Sequence, residues 1–133
     1  DVDCDIFAPC ALGGTINLDS ISRIRAKIIA GSANNQLSHP QIANLLLAKD
    51  ILYAPDFVIN AGGLINAAMV YDYADLPLAE NKIAAIYQTL TLLFRRSQQE
   101  NINTQEIARR IALERVAVAK KRFEQPLIKT DAL

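Results

Sequence analysis

Short apolar segments alternate with segments of helical periodicity along the first 60 residues of the chain. Four apolar runs are too short for helices and are bounded by turn-forming residues, which predicts strands at Cys4–Ala8, Lys27–Ala30, Ile51–Tyr53 and Phe57–Ile59. Helical segments separate these runs, so parallel pairing is expected. Such short apolar strands suit a sheet covered on both faces, and the pattern predicts an α/β fold.

Capping signals predict where the helices between these strands begin. Asn17 can cap a helix of about ten residues that buries Ile21 and Ile24. Ser38 can cap the next helix, with Pro40 in its first turn, where a missing N–H costs nothing. Apolar residues then recur at helical spacing, at Ile42, Leu45 and Leu46.

The pattern becomes helical throughout after Asp72. Leu78–Glu100 carries apolar residues at the spacing of a long amphipathic helix. Thr104 can cap a last helix, whose basic residues are interpreted as a solvated face: Arg109, Arg110, Arg115, Lys120 and Lys121. The tail after Pro126 is expected to be loose or to pack on a neighbour.

Three of the predicted strands end in loops of small and amide residues, after Ala8, Ala30 and Ile59. In a parallel sheet these ends lie along one edge, which is where open α/β sheets bind ligands. The last of them leads into Asn60 and the glycine pair 62–63, which lets the backbone approach a ligand and opens a helix with unpaired N–H groups. The sequence therefore predicts a ligand site at this edge.

Composition excludes several classes of function. The 133 residues are 51% apolar and 21% charged, which is typical of a globular domain. Lys plus Arg equals Asp plus Glu at 14 each, which gives no electrostatic signature of a nucleic-acid or anionic-membrane partner. No apolar run approaches the length of a membrane span, and no signal peptide is recognised.

The two cysteines are interpreted as reduced thiols of a cytoplasmic protein. Cys4 and Cys10 flank a predicted strand, a geometry that is awkward for a disulfide. Their spacing is not CxxC, and His39, which is expected on the surface, cannot complete a common zinc set, so no metal is expected.

Three sequence blocks, CDIFAPCALG (4–13), IAGSANNQL (29–37) and YAPDFVINAGG (53–63), resemble the leucine dehydrogenases within the family of glutamate, leucine, phenylalanine and valine dehydrogenases. Glutamate dehydrogenases usually read Pro-Thr where this chain has Asn35-Gln36. The resemblance therefore points to the branched-chain and aromatic branch. It is close over 4–73 and looser over the C-terminal helices.

The resemblance implies NAD-dependent oxidative deamination of branched-chain L-amino acids, leucine, valine and isoleucine, to 2-oxo acids and ammonia. Residues 1–73 would be the second half of a Rossmann-like, doubly wound NAD-binding domain, and residues 74–133 a C-terminal helical segment packing on it. The family's catalytic lysine and aspartate, its substrate domain and its glycine fingerprint are expected upstream, so no catalytic residue is expected here. The intact protein would be a homo-oligomer, and this chain alone is expected to be inactive and to bind NAD poorly.

The resemblance also assigns site residues. Cys10 and Ala11 would lie beside the dinucleotide, Asn34 near the nicotinamide ribose, and Asn60 against the nicotinamide carboxamide and the substrate. Leu64 and Ala67 would line the pocket for the substrate side chain, where an uncharged wall suits a branched aliphatic group. Plainer interpretations stay open: a loop of small residues, an Asn in a left-handed turn, a helix cap and ordinary core positions.

Two alternatives to this assignment remain. A phenylalanine or valine dehydrogenase would share these motifs, and relative rates on the amino acids would separate them. A non-catalytic binding or assembly module that retains the half-domain is the second, and an upstream sequence without a substrate domain would favour it.

Overall fold

The computed structural model describes residues 2–73 and 75–124, and the predicted behaviour of the tail after Pro126 lies outside them. Three strands, one fewer than the pattern predicts, are followed by the predicted helical half. The elements in chain order are β1 (Ile6–Phe7), α1 (Leu18–Ile21), β2 (Ile28–Ile29), α2 (Ile42–Ala48), β3 (Leu52–Tyr53), α3 (Asp56–Ile59), α4 (Gly62–Tyr73), α5 (Leu76–Glu100) and α6 (Thr104–Glu124).

The strands form one parallel sheet in the order β1-β2-β3. Ile29, at the end of β2, stands in register with Phe7 on one side and with Tyr53 on the other. The expected parallel α/β arrangement is confirmed, although each strand is shorter than predicted. All three carboxyl ends therefore lie at one edge of the sheet.

One core covers this sheet. Its buried side chains come from the sheet and from the segments that cross over it: Ile16, Ile21, Ile29, Ile42, Leu46 and Tyr53. Burying an aliphatic or aromatic side chain of this size stabilises a fold by about 1.5–3 kcal/mol. The helical half has a second cluster around Leu93, Ile107 and Ala108, against which Val58 of α3 packs.

The first two helices depart from their predicted boundaries. Asn17 caps α1 through a capping box with Ser20, as expected, but α1 has 4 residues and ends before the chain turns into β2. Ser38 does not cap α2, because the residue in the cap position of that helix is Gln41; the Ser38 N–H donates to the Ile16 carbonyl at 2.9 Å. Pro40 consequently lies in a turn before α2, which begins at Ile42.

The predicted strand Phe57–Ile59 is wrong, because these residues form α3. Pro55 has extended backbone angles, and the Asp56 carboxylate then accepts the Phe57 N–H at 2.7 Å and starts a helical turn. Three consecutive apolar residues fit a strand and a buried helical turn equally well, so periodicity cannot separate them.

The long helix is confirmed as α5, and the start of α6 needs a correction. Asn103, not Thr104, caps α6, with its Oδ1 accepting the Glu106 N–H at 2.8 Å. The buried Thr104 hydroxyl instead donates to the carbonyl of Tyr53 at 2.7 Å and joins α6 to β3. The proposed division at residues 73 and 74 stays a prediction.

The basic face of α6 is exposed, in agreement with its interpretation as solvated. Arg109 and Arg110 both bind Glu106, at 2.9 and 3.0 Å, and these bonds lower the pKa of that carboxyl to about 2. Within the described helices, none is long and apolar enough to cross a membrane.

Gly31 allows the loops after β1 and β2 to touch. A Cβ on Gly31 would lie 2.2 Å from the Pro9 carbonyl oxygen, whereas a Cβ on Gly63, in α4, would meet nothing within 4 Å. Only the first glycine is therefore required by close backbone approach.

We expect Gly31→Ala to lower the free energy of unfolding by about 2 kcal/mol or more, because two backbone segments must separate. Gly63→Ala is the matched control and should be neutral or stabilising by up to about 1 kcal/mol, since alanine favours helix. Urea unfolding of both variants measures the difference. Equal effects would contradict the close approach.

Candidate functional site

The candidate site lies at the carboxyl ends of the strands. The loop after β1 and the loop after β2, residues 30–36, are joined by the Ala33 N–H, which donates to the Pro9 carbonyl at 3.0 Å. The third strand ends at Tyr53 and not at Ile59. The third side of the candidate site is therefore formed by α3 and by Asn60, which directly follows it. The predicted edge is therefore present, with one short helix in place of a strand.

Cys10 and Ala11 are exposed along this edge. Hydrogen bonds from the side chain and backbone of Ser32 lower the pKa of the Cys10 thiol. Gly13 lies against the loop after β2 as well, since a Cβ there would be 2.9 Å from the Asn34 carbonyl oxygen. Residues 10–13 thus run beside that loop. Both cysteines are free, in agreement with their interpretation as thiols, and both are exposed.

Asn34 and Asn60 come into direct contact although 26 residues separate them in the sequence. The Asn60 Nδ2 donates to the Asn34 Oδ1 at 2.6 Å and lies 3.4 Å from the Ser32 carbonyl. Asn60 is also the residue that ends α3. The structure therefore brings Cys10, Asn34 and Asn60 together through Ser32, as the sequence predicts.

This contact determines what the two amides offer to a ligand. Each amide has an oxygen that accepts and an NH2 group that donates. Because the Asn60 NH2 and the Asn34 oxygen bind each other, the Asn34 NH2 and the Asn60 oxygen remain. The pair therefore presents one donor and one acceptor side by side, which suits a hydroxyl or a carboxamide.

The two predicted substrate residues lie on α4 with different relations to the amides. Leu64 is 76% exposed and lines an open hollow of about 530 Å³ together with Asn34 and Asn60. Ala67 is exposed one turn further along α4, outside the lining of that hollow. The same helix continues with the exposed apolar side chains Val70 and Tyr71.

Two buried polar residues next to the site were not assigned from the sequence. Gln36 is 0% exposed, and Asp56 is 7% exposed. The Asp56 Oδ2 accepts the Gln36 backbone N–H at 2.9 Å. In the sequence, Asp56 was interpreted only as part of a turn signal. The signal that could have identified its role is a carboxylate in the first turn of a helix, where it can accept free N–H groups.

No group of three or more His, Cys, Asp or Glu side chains that could hold a metal ion occurs within residues 2–73 and 75–124. His39 is exposed, as expected. Gln36, Asn34 and Asn60 are neutral amides, so they offer hydrogen bonds and no charge.

Residues 1–123 match the sequence model described as Glutamate/Leucine/Phenylalanine/Valine dehydrogenase. The chain is 47% identical over 121 residues to the leucine dehydrogenase of Geobacillus stearothermophilus, covering 90% of this chain and 33% of that protein. It is 43% identical over 118 residues to the valine dehydrogenase of Streptomyces coelicolor, covering 89% and 32%.

The fold is similar to the crystal structure of L-tryptophan dehydrogenase from Nostoc punctiforme. The TM-score is 0.84 at 45% sequence identity, over 90% of this chain and 36% of that one. The chain thus spans about a third of the length of the relatives it matches.

The Ser32 contact predicts a difference in reactivity between the two exposed thiols. We expect Ser32→Ala to slow alkylation of Cys10 by iodoacetamide at neutral pH. Losing the bond raises the pKa of the thiol and reduces its thiolate fraction. Cys4 is the internal control, and peptide mass spectrometry follows both rates. An unchanged Cys10 rate would show that Ser32 does not stabilise the thiolate.

Proposed function

The chain belongs to the glutamate, leucine, phenylalanine and valine dehydrogenase family, and on this premise we propose that the intact protein oxidises branched-chain L-amino acids with NAD. Hydride would leave the substrate Cα for the nicotinamide, and water would hydrolyse the resulting imine to a 2-oxo acid and ammonia. The catalytic lysine and aspartate expected of the family would come from outside this chain.

The contact between Asn34 and Asn60 is the observation that carries this proposal. A nicotinamide ribose offers hydroxyl oxygens to the remaining Asn34 NH2, and a carboxamide NH2 fits the remaining Asn60 oxygen. Cys10 and Ala11 are small and exposed beside the loop that carries Asn34, so no bulky side chain of theirs blocks a dinucleotide. We assign to these four residues the nicotinamide side of the cofactor site.

The sheet supports the proposal that this chain is the second half of a Rossmann-like domain. Asp5 and Phe7 give their carbonyls to β2, so the backbone of Ile6 between them faces away from it. Among the described strands, none lies on that side of β1, and Ile6 is 56% exposed. A doubly wound sheet would continue there with the strands of its first half.

The proposed substrate wall is formed by Leu64 and Ala67. Both are exposed and uncharged and lie three positions apart on one face of α4. Such a wall favours an aliphatic side chain and rejects a carboxylate by desolvation. Because the relatives include L-tryptophan dehydrogenases, aromatic substrates are the second candidate. A cytoplasmic homo-oligomer remains our expectation for the intact protein.

Steady-state rates of NAD reduction by the intact protein test the function. We expect kcat/KM for L-leucine, L-valine and L-isoleucine to exceed that for L-phenylalanine, L-tryptophan and L-glutamate. A preference for an aromatic amino acid would overturn the branched-chain assignment. The absence of NAD reduction with every amino acid would favour the non-catalytic module.

The substrate wall gives a prediction of specificity. Ala67→Leu should narrow the pocket and raise the valine-to-leucine ratio of kcat/KM by about tenfold, since one methylene in an apolar pocket changes discrimination by about 10–200-fold. Ala84→Leu is the matched control, because Ala84 is an exposed alanine of α5. If both variants keep the parent ratio, Ala67 does not line the pocket.

A further inference from the structure

Gln36 and Asp56 lie behind the two amides of the candidate cofactor site. We propose that they are positioning residues, which hold the Asn34 and Asn60 side chains in the arrangement that receives the nicotinamide half of NAD. This inference rests on the proposed function and adds two residues to it that do not themselves face the ligand.

Gln36 closes the loop that carries Asn34. Its Nε2 donates to the Gly31 carbonyl at 2.7 Å and to the Ala33 carbonyl at 2.9 Å. One side-chain amide therefore fixes two backbone groups that precede Asn34, while the Gln36 backbone directly follows Asn35. A side chain that cannot donate would leave both carbonyls without this partner.

The loop has a backbone conformation that must be held in place. Asn35 has a φ of +50°, in the left-handed region that non-glycine residues rarely adopt. The Asn35 carbonyl accepts the Gly14 N–H at 2.7 Å, and the Gln36 carbonyl accepts the Ile16 N–H at 3.0 Å. Such conformations persist where surrounding contacts determine them, and here they orient the neighbouring Asn34.

Asp56 joins this loop to α3. One of its carboxylate oxygens accepts the Gln36 N–H at 2.9 Å, and the other accepts the Phe57 N–H at 2.7 Å. Both bonds are made to a carboxylate, and the bond from Gln36 is buried, which makes it stronger than an exposed neutral bond. The loop and the start of α3 are therefore held at a fixed separation.

The contacts form a closed ring. Asp56 is the first residue of α3, and Asn60 caps its C-terminal end. The Asn60 N–H donates to the Asp56 carbonyl, one helical turn earlier, at 3.0 Å. Asp56 holds Gln36 at one end of this turn, and Asn60 holds Asn34 at the other, at 2.6 Å. A shift of the loop at Gln36 must therefore change the contact between the two amides.

A glutamine such as Gln36 is also unusual at a fully buried position, and its presence there supports a specific role for its side chain as a hydrogen-bond donor. Its Oε1 is buried and has no partner among the described residues, although its NH2 group makes two bonds. An unsatisfied buried acceptor opposes folding. The two hydrogen bonds that the NH2 group donates to the Gly31 and Ala33 carbonyls offset this cost.

The test compares NAD with ADP, which lacks both the nicotinamide and its ribose. In the intact protein, calorimetric titration should show that Gln36→Met weakens NAD binding by about tenfold or more while the Kd for ADP changes by less than about twofold, because of these two ligands only NAD carries the half that reaches the two amides. Gln88→Met, at an exposed position of α5, is the control and should bind both ligands like the parent.

Gln36→Glu adds a readout that depends on pH. An ionised carboxylate cannot donate to the two carbonyls, whereas a protonated one restores a single bond. We therefore expect its NAD affinity to recover as the pH falls from about 8 to about 5, relative to the parent and to Gln36→Met, since burial raises the pH at which a glutamate takes up a proton. A pH profile identical to that of Gln36→Met would contradict the donor role.

The outcomes separate the two proposals. If the parent binds no NAD, or if Asn34→Ala and Asn60→Ala bind it like the parent, the proposed function fails. If those variants weaken NAD and Gln36→Met does not, or if Gln36→Met weakens NAD and ADP equally, positioning is overturned and the proposed function stands. Should Gln36→Met not fold, Asp56→Asn decides by the same comparison, because it keeps the side-chain shape and one acceptor oxygen.

Discussion

One buried carboxylate determines how the two halves of the candidate site meet. Asp56 is reached by N–H groups from two directions, one from the loop after β2 and one from its own helix. Removing this carboxylate leaves the buried Gln36 N–H unpaired, at a cost of about 1–3 kcal/mol, and also removes the partner of the partly buried Phe57 N–H. The sheet supplies the edge, but this contact determines where Asn34 stands relative to Asn60.

The sheet was predictable because its signals are local. Short apolar runs, small loops and intervening helical segments each favour parallel strands independently of distant contacts, and β1, β2 and β3 lie where those runs do. The strand predicted at Phe57 is wrong because a run of three apolar residues has no measurable period. The bond from the Phe57 N–H to the Asp56 carboxylate favours a helical turn there, and the apolar pattern does not show it. Ser38 and Thr104 resemble caps in sequence, yet α2 begins further along the chain, at Ile42, and the Thr104 hydroxyl donates to the Tyr53 carbonyl.

The site residues were predicted from the resemblance of sequence motifs. The contact between Asn34 and Asn60 does not depend on the strand that was wrongly predicted at Phe57–Ile59. Asn60 reaches Asn34 from the end of a helix. Gln36 and Asp56 could not be assigned in this way, because their importance lies in a bond across 20 residues and in the burial of both side chains. Periodicity describes which face of an element is apolar, and it carries no information on such pairs.

The hydroxyl of Thr104 has a consequence for how copies of this chain would meet one another. The residues on either side of Tyr53 donate hydrogen bonds to the β2 side, so the Tyr53 carbonyl faces the outer side of β3. There it accepts the hydrogen bond from the Thr104 hydroxyl. Exposed strand edges recruit strands from other molecules, and proteins avoid this by covering them. Within the described residues α6 covers the outer side of β3, which disfavours addition of a strand from another molecule there, and leaves the outer side of β1 as the side where the sheet can extend.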